Sequence, residues 1–108
     1  MSGANARFLQ QADALDPAEL ARTLPAATAV LQTCSVKDIQ VSCDQQAALR
    51  AALDAHGRHT WLRLENADHV LKDIGSQTST GAEYGRDLPF DPTLDAALAG
   101  WVPTAVSR

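Results

Sequence analysis

The sequence has no run of lysine or arginine, no long apolar segment and only two cysteines. Nine basic residues stand against thirteen acidic ones, for a net charge of −4, so there is no electrostatic footprint for nucleic acid or an anionic membrane. No apolar segment reaches the roughly 20 residues that span a bilayer, and residues 1–10 lack the basic-then-apolar layout of a secretory signal. We therefore expect a cytoplasmic protein with neither nucleic acid nor membrane as a partner.

A chain of 108 residues buries one modest core and is too short for two ordinary domains. We expect one domain over residues 1–108.

Cysteine and histidine spacing argues against a metal or redox site. Cys34 and Cys43 match neither a CxxC pair nor a set of zinc ligands, which favours two reduced, partly buried thiols. His56 and His59 lie three residues apart in "AHGRHT", a pattern typical of a helix end that turns into a strand. We expect no metal and no cofactor.

The first half of the chain predicts a helix and then a strand. Asp16 is a candidate N-cap, with Pro17 at the first helical position of a helix that runs to about Leu24 and ends at Pro25. Residues 28–34, "TAVLQTC", form an apolar, β-branched run that predicts a buried strand.

A second helix and a second strand follow. Ser42 and Gln45 form a candidate capping box, and the alanine- and leucine-rich stretch after it ends at Gly57. Residues 59–64, "HTWLRL", predict the next strand. Strand, helix and strand in this order are typical of a right-handed βαβ unit with two parallel strands, so the fold class is α/β with flanking N- and C-terminal helices.

The end of the chain predicts a loop and one more helix. Residues 75–85 are rich in glycine, serine and threonine and predict a mobile loop. Asp91 and Pro92 begin the last helix and Pro103 ends it. Its apolar stripe is predicted to consist of Leu94, Ala97, Leu98, Trp101 and Val102.

Two residues that follow the strands are candidates for chemistry. Asp38 comes after the first strand and His69 after the second, and parallel strands bring such loops to the same edge of a sheet. A carboxylate that accepts a hydrogen bond from an imidazole fixes the tautomer that a general base in acyl transfer needs. The alternative is a turn aspartate and a solvated loop histidine, which spacing alone favours.

The chain contains, in order, "CSVKDIQV", a helix, "NADHVLKD", a tyrosine and "LPFDPTLDAALAGWV". This order resembles the C-terminal part of α/β-hydrolase-fold enzymes, especially bacterial serine hydrolases that act on ester or peptide bonds. In that family an aspartate follows the seventh strand in a G-x-x-D-x-x-V context, and a histidine follows the eighth in an N-H-x-x-K or D-H-x-L-K context. The resemblance covers residues 13–102. It implies a partial α/β-hydrolase fold with Asp38 as the triad acid and His69 as the triad base.

The family's nucleophile motif is missing. The resemblance places a G-x-S-x-G elbow before the aspartate, where this chain has only Ser2 and Ser35. Ser76 and Ser79 follow His69, and neither Cys34 nor Cys43 has the spacing of an activated thiol.

Three interpretations therefore stay open. In the first, the chain is the C-terminal segment of a serine hydrolase and is inactive alone. In the second, it is an enzyme that a partner chain completes by supplying the N-terminal half in trans. In the third, it is a non-catalytic binding or structural module derived from the fold. An unpaired edge of strand 28–34 predicts a homo-oligomer, formed through that strand or through the last helix.

Overall fold

A computed structural model describes residues 3–106. The two strands are β1 and β2, and the four helices are α1 to α4 in chain order. Short 3₁₀ turns precede α3 and α4. The bounds are α1 Gly3–Asp13, α2 Pro17–Arg22, β1 Val30–Ser35, a turn at Cys43–Gln46, α3 Ala47–His56, β2 His59–Leu64, a turn at Ala82–Gly85 and α4 Pro92–Val106.

The two strands form a parallel two-stranded sheet, with α3 in the connection between them. The register runs from Val30 opposite His59 to Ser35 opposite Leu64. The predicted α/β class with flanking helices is confirmed at this level. The first strand begins at Val30 rather than at Thr28, because Thr28 turns back to donate its N–H to the Pro25 carbonyl.

The helix boundaries follow local signals. The Asp16 carboxylate accepts from the backbone N–H of Ala18 at 2.9 Å and caps α2. Ser42 and Gln45 bond reciprocally as a capping box, although the turn that they cap is 3₁₀ before it becomes α3. Gly57 ends α3 in the left-handed region, with φ at 101°, where a side chain is unfavourable.

The last helix runs past the predicted stop. Pro103 lies inside α4, which continues to Val106. A proline removes one backbone hydrogen bond and crowds the preceding turn, but the Thr104 hydroxyl donates to the Trp101 carbonyl at 2.7 Å across this point. Of the predicted stripe, Leu94 is buried, Leu98 packs against the same core, and Val102 is 47% exposed.

Helix α1 has no buried residue, and both Phe8 and Leu9 are exposed. The sequence analysis does not predict this helix.

The core consists of two small clusters. One joins α2 to α3 through Ala18, Ala21, Ala52 and Leu53. The other packs the end of β2 against α4 through Leu64, Ala67 and Leu94. Ala67, two residues before His69 in the chain, belongs to this second cluster.

None of the described helices has the length and apolar character that crossing a membrane requires.

Candidate functional site

Asp38 and His69 lie in contact beyond the carboxyl ends of β1 and β2. His69 Nδ1 is 3.0 Å from Asp38 Oδ2 and 3.1 Å from Asp38 Oδ1. The parallel strands bring the two loops together, as the βαβ topology predicts. Their catalytic roles stay a prediction.

The Asp38 carboxylate is held by its own loop. Asp38 Oδ1 accepts from the backbone N–H of Gln40 at 2.7 Å and of Val41 at 3.0 Å, and the side chain is 11% exposed. Burial raises the pKa of this carboxyl, but the Val41 N–H, the His69 ring and the Gln40 N–H together bring the pKa below its ordinary value. Asp38 is therefore ionised at neutral pH and acts as an acceptor.

An ionised acceptor fixes the tautomer of His69. Because Asp38 has no proton to donate, the Nδ1 atom of His69 carries the hydrogen of their bond, and in the neutral ring the lone pair is on Nε2. The imidazole is 36% exposed, so it is open to a reacting group. The Tyr84 ring lies beside it at 6.1 Å between centroids, and the Tyr84 hydroxyl accepts from the Gln40 amide at 3.4 Å.

The loop of His69 is shaped by its neighbour Asp68, whose side chain is fully buried. Asp68 Oδ1 accepts from the backbone N–H of Val70 at 3.1 Å and of Lys72 at 3.0 Å. Leu71, between them, has φ at 65°, the one positive value among the described non-glycine residues. The bonds to Asp68 thus hold the backbone at Leu71 in a conformation that residues other than glycine rarely adopt.

The two cysteines form a disulfide, so the expectation of reduced thiols is wrong. Cys34 and Cys43 are nine residues apart and their Cα atoms are 5.3 Å apart, within the usual range for a bridge. The turn around Asp38 and the cap at Ser42 fold the chain back onto the end of β1. A disulfide sulfur is no thiolate, which removes both cysteines as nucleophiles.

Among residues 3–106 no serine is hydrogen-bonded to His69, and Ser2 lies outside the described residues. Ser35 is buried, and the buried Ser79 hydroxyl donates to Glu83 Oε2 at 2.6 Å. Within residues 3–106 the only hydrogen bonds of His69 are those to Asp38. Among the described residues, the contact of Asp38 with His69 therefore stands without a hydrogen-bonded serine or thiol beside it.

The other two histidines have structural contacts. His56 Nε2 lies 2.7 Å from the Pro25 carbonyl. His59 bridges Asp54 at 2.7 Å and the Gln32 side chain at 2.8 Å. Among the described residues no three His, Cys, Asp or Glu side chains are grouped as a metal site requires.

Sequence reasoning missed the contacts that hold the segment 75–86 against the site. Lys37, next to Asp38, donates to the carbonyls of Gly75 and Gln77. Lys72 donates to the carbonyls of Tyr84 and Arg86. The predicted mobile loop is therefore anchored at both ends by lysines from the loops of Asp38 and His69.

The comparisons with known proteins do not identify this chain: no family model, curated protein or solved structure matches it.

Proposed function

We propose that this chain is the acid–base segment of a serine hydrolase of the α/β-hydrolase fold, which acts on ester or peptide bonds and is inactive alone. The observation that carries the proposal is the contact of His69 Nδ1 with the Asp38 carboxylate at the carboxyl edge of a parallel strand pair. This is the orientation in which a carboxylate prepares an imidazole for proton transfer.

In the proposed reaction, His69 Nε2 accepts the proton of a serine hydroxyl as the hydroxyl oxygen attacks the acyl carbon. The imidazolium then returns the proton to the leaving group, and Asp38 stabilises the positive charge in between. The serine and the oxyanion hole come from an N-terminal hydrolase half, either from a preceding part of a longer chain or from a partner chain.

The dimensions and surface of the chain support an incomplete domain. The radius of gyration is 16.1 Å, whereas a compact domain of this length has about 13 Å. Apolar side chains are exposed around the acid–base pair: Val36, Ile39, Val41 and Val70 are each at least 38% exposed. An added half that bears the serine would cover them.

A second candidate is a non-catalytic module that forms homo-oligomers. It is favoured by a sheet of only two strands among the described residues, which leaves backbone groups at its outer edges open to another strand. Val102 and Val106 on α4 are also exposed. The contact is expected through residues 28–34 or through α4.

A cytoplasmic location stays a prediction, and the disulfide argues against it. Disulfides persist in oxidising compartments, whereas cytosolic reductants keep most thiols reduced.

The test is the activity of the chain with and without a serine-bearing hydrolase half. We expect no turnover of short-chain p-nitrophenyl esters or aminoacyl anilides by the chain alone, and no labelling by a fluorophosphonate. With the N-terminal half encoded upstream, or a co-purifying partner that contains G-x-S-x-G, we expect turnover that His69→Ala abolishes. The matched control is His56→Ala, which changes a histidine outside the site.

Three outcomes would contradict this proposal. Labelling of the chain alone, lost in His69→Ala, would mean that it contains its own nucleophile. Turnover of the completed enzyme that survives His69→Ala would remove the base role. A stable homo-oligomer in light scattering that binds no serine-bearing half would favour the non-catalytic module.

A further inference from the structure

The edge of β1 that faces away from β2 presents a row of backbone groups. On the inner side, the Val30 N–H donates to the Arg58 carbonyl and the Val36 N–H donates to the Leu64 carbonyl, both at 2.9 Å. Successive residues of a strand direct their N–H and C=O groups to opposite sides, so the even-numbered residues of 30–36 face β2. The residues whose backbone groups face the outer edge are Leu31, Thr33 and Ser35.

This outer edge has no strand beside it within residues 3–106. The one hydrogen bond on its outward backbone groups, among the described residues, joins the Asp38 N–H to the Ser35 carbonyl at 3.2 Å. A carbonyl oxygen has two lone pairs and can accept from a second donor. The edge therefore offers a row of donors and acceptors that matches another strand.

The sequence of β1 gives this edge none of the usual protection. Exposed sheet edges normally carry a charged side chain, a proline or a bulge that prevents pairing. The strand reads VLQTCS, without a charge or a proline, and its register with β2 is continuous, so it has no bulge. In β2, by contrast, the Arg63 side chain is charged and 55% exposed. Of the two edges, that of β1 is the one suited to pair with another strand.

The β1 edge is also complementary to itself. Two copies related by a two-fold axis bring Thr33 opposite Thr33 of the second copy, and Leu31 opposite Ser35 of the second copy. In this antiparallel register each outward N–H of one copy faces an outward carbonyl of the other, and no like charges meet. The two-stranded sheet becomes a continuous sheet of four strands, a size common in proteins.

We propose that β1 pairs antiparallel with β1 of a second copy of this chain, with Thr33 at the two-fold axis. The pairing rests on the homo-oligomer of the second candidate function, for which it selects the β1 edge over α4. Backbone hydrogen bonds and the cross-strand contacts of Leu31 and Thr33 stabilise it. It requires neither His69 nor a nucleophile.

The first test is made on the wild-type chain. In light scattering we expect a species of twice the 11.5 kDa chain mass. By NMR, the amide hydrogens of Leu31, Thr33 and Ser35 should exchange with solvent more slowly as the protein concentration rises. The amide hydrogens of Gln32 and Cys34 serve as the internal control, because they face β2 and their exchange should change much less.

The register is tested in a mixed dimer of ¹³C-labelled and unlabelled chains. In an antiparallel pair, residues between the hydrogen-bonded positions bring their Cα atoms to about 4.5 Å. We therefore expect a nuclear Overhauser contact between the Hα atoms of Gln32 and of Cys34 of the second copy. A dimer without this contact would overturn the proposed pairing.

Substitutions then test the edge itself. Thr33→Pro removes an outward N–H and no bond to β2, a change that edge strands tolerate. Because it removes both central bonds of the dimer, it should raise the dissociation constant by at least about tenfold. The matched control is Arg63→Pro, which removes an outward N–H from the far edge of β2 and should leave the dissociation constant unchanged.

Other outcomes would refute the proposal. A wild type that is monomeric at every workable concentration refutes it directly. A dimer that survives Thr33→Pro but dissociates in Val102→Asp would have its contact on α4. If Thr33→Pro does not fold, the exchange and Overhauser data of the wild type decide. None of these results bears on the turnover of a completed enzyme, so the hydrolase proposal stands or fails separately.

Discussion

Reduction of the Cys34–Cys43 disulfide tests how the acid loop is held. The bridge closes a ring from the end of β1 to the turn before α3, and Asp38 lies near its middle. We expect reduction to destabilise the fold and to loosen the contact of Asp38 with His69.

The magnitude follows from the size of the ring. For cysteines nine residues apart, the loop-closure entropy removed from the unfolded chain corresponds to about 2.6 kcal/mol at 25 °C. A core as small as this one has little reserve, since small domains are stable by only about 5–10 kcal/mol. The midpoint of thermal unfolding should therefore fall by roughly 10–20 °C in reductant.

The assay is urea unfolding of the wild type with and without a phosphine reductant, followed by tryptophan fluorescence. The matched control is the double variant Cys34→Ala/Cys43→Ala, which has no bridge to reduce. Its unfolding midpoint should not depend on the reductant. NMR of the His69 ring in the same samples reports whether the contact with Asp38 is lost before global unfolding.

A change in the free energy of unfolding below about 1 kcal/mol on reduction would refute the reasoning. In that case the hydrogen bonds of Asp38 to Gln40 and Val41, rather than the disulfide, hold the loop. Reaction of the untreated wild type with a thiol reagent would show that the bridge does not form.

Two further predictions concern charge and packing. Asp38→Asn should lower the free energy of unfolding at pH 7 by about 1 kcal/mol. The pKa of Asp38 is lowered in the folded state from an ordinary value of 3.8. The stabilisation by the carboxylate is therefore fully present above pH 3.8 and is lost as pH falls through the folded pKa. A difference in the free energy of unfolding between wild type and variant that persists unchanged to about pH 2 would contradict this prediction. Leu64 is fully buried, so Leu64→Ala should lower the free energy of unfolding in urea by about 2–5 kcal/mol. The control Leu15→Ala, at an exposed position, should lower it by less than about 0.5 kcal/mol. Equal losses would show that Leu64 lies outside the core.

Much of the fold is predictable because the signals are local. The cap at Asp16, the box at Ser42 and the stop at Gly57 each depend on contacts within four residues, so the sequence displays them directly. The meeting of Asp38 and His69 is also predictable, since it follows from topology: a strand, a helix and a parallel strand place both loops at one edge.

The rest depends on contacts or propensities that the patterns do not display. The disulfide requires the turn around Asp38 to return to β1, which cysteine spacing does not reveal. The bonds from Lys37 to the Gln77 carbonyl and from Lys72 to the Tyr84 carbonyl join residues 40 and 12 positions apart, and the loop that they hold shows mostly polar residues and glycine to a search for patterns. Helix α1 has no buried residue, so no packing contact of the described core accounts for it.

Contacts within this chain hold Asp38 and His69 together. The loop of Asp38 is closed by the disulfide, the loop of His69 by Asp68, and the segment of Tyr84 by Glu83. Each of these contacts lies within one loop. Lys37 and Lys72 then join the segment 75–86 to the loops of Asp38 and His69. Because these contacts already hold the loops, the docking of a serine-bearing half would cost little conformational entropy in the loops. The proposed hydrolase therefore requires of that half only its own nucleophile, its oxyanion hole and a surface that covers the apolar rim.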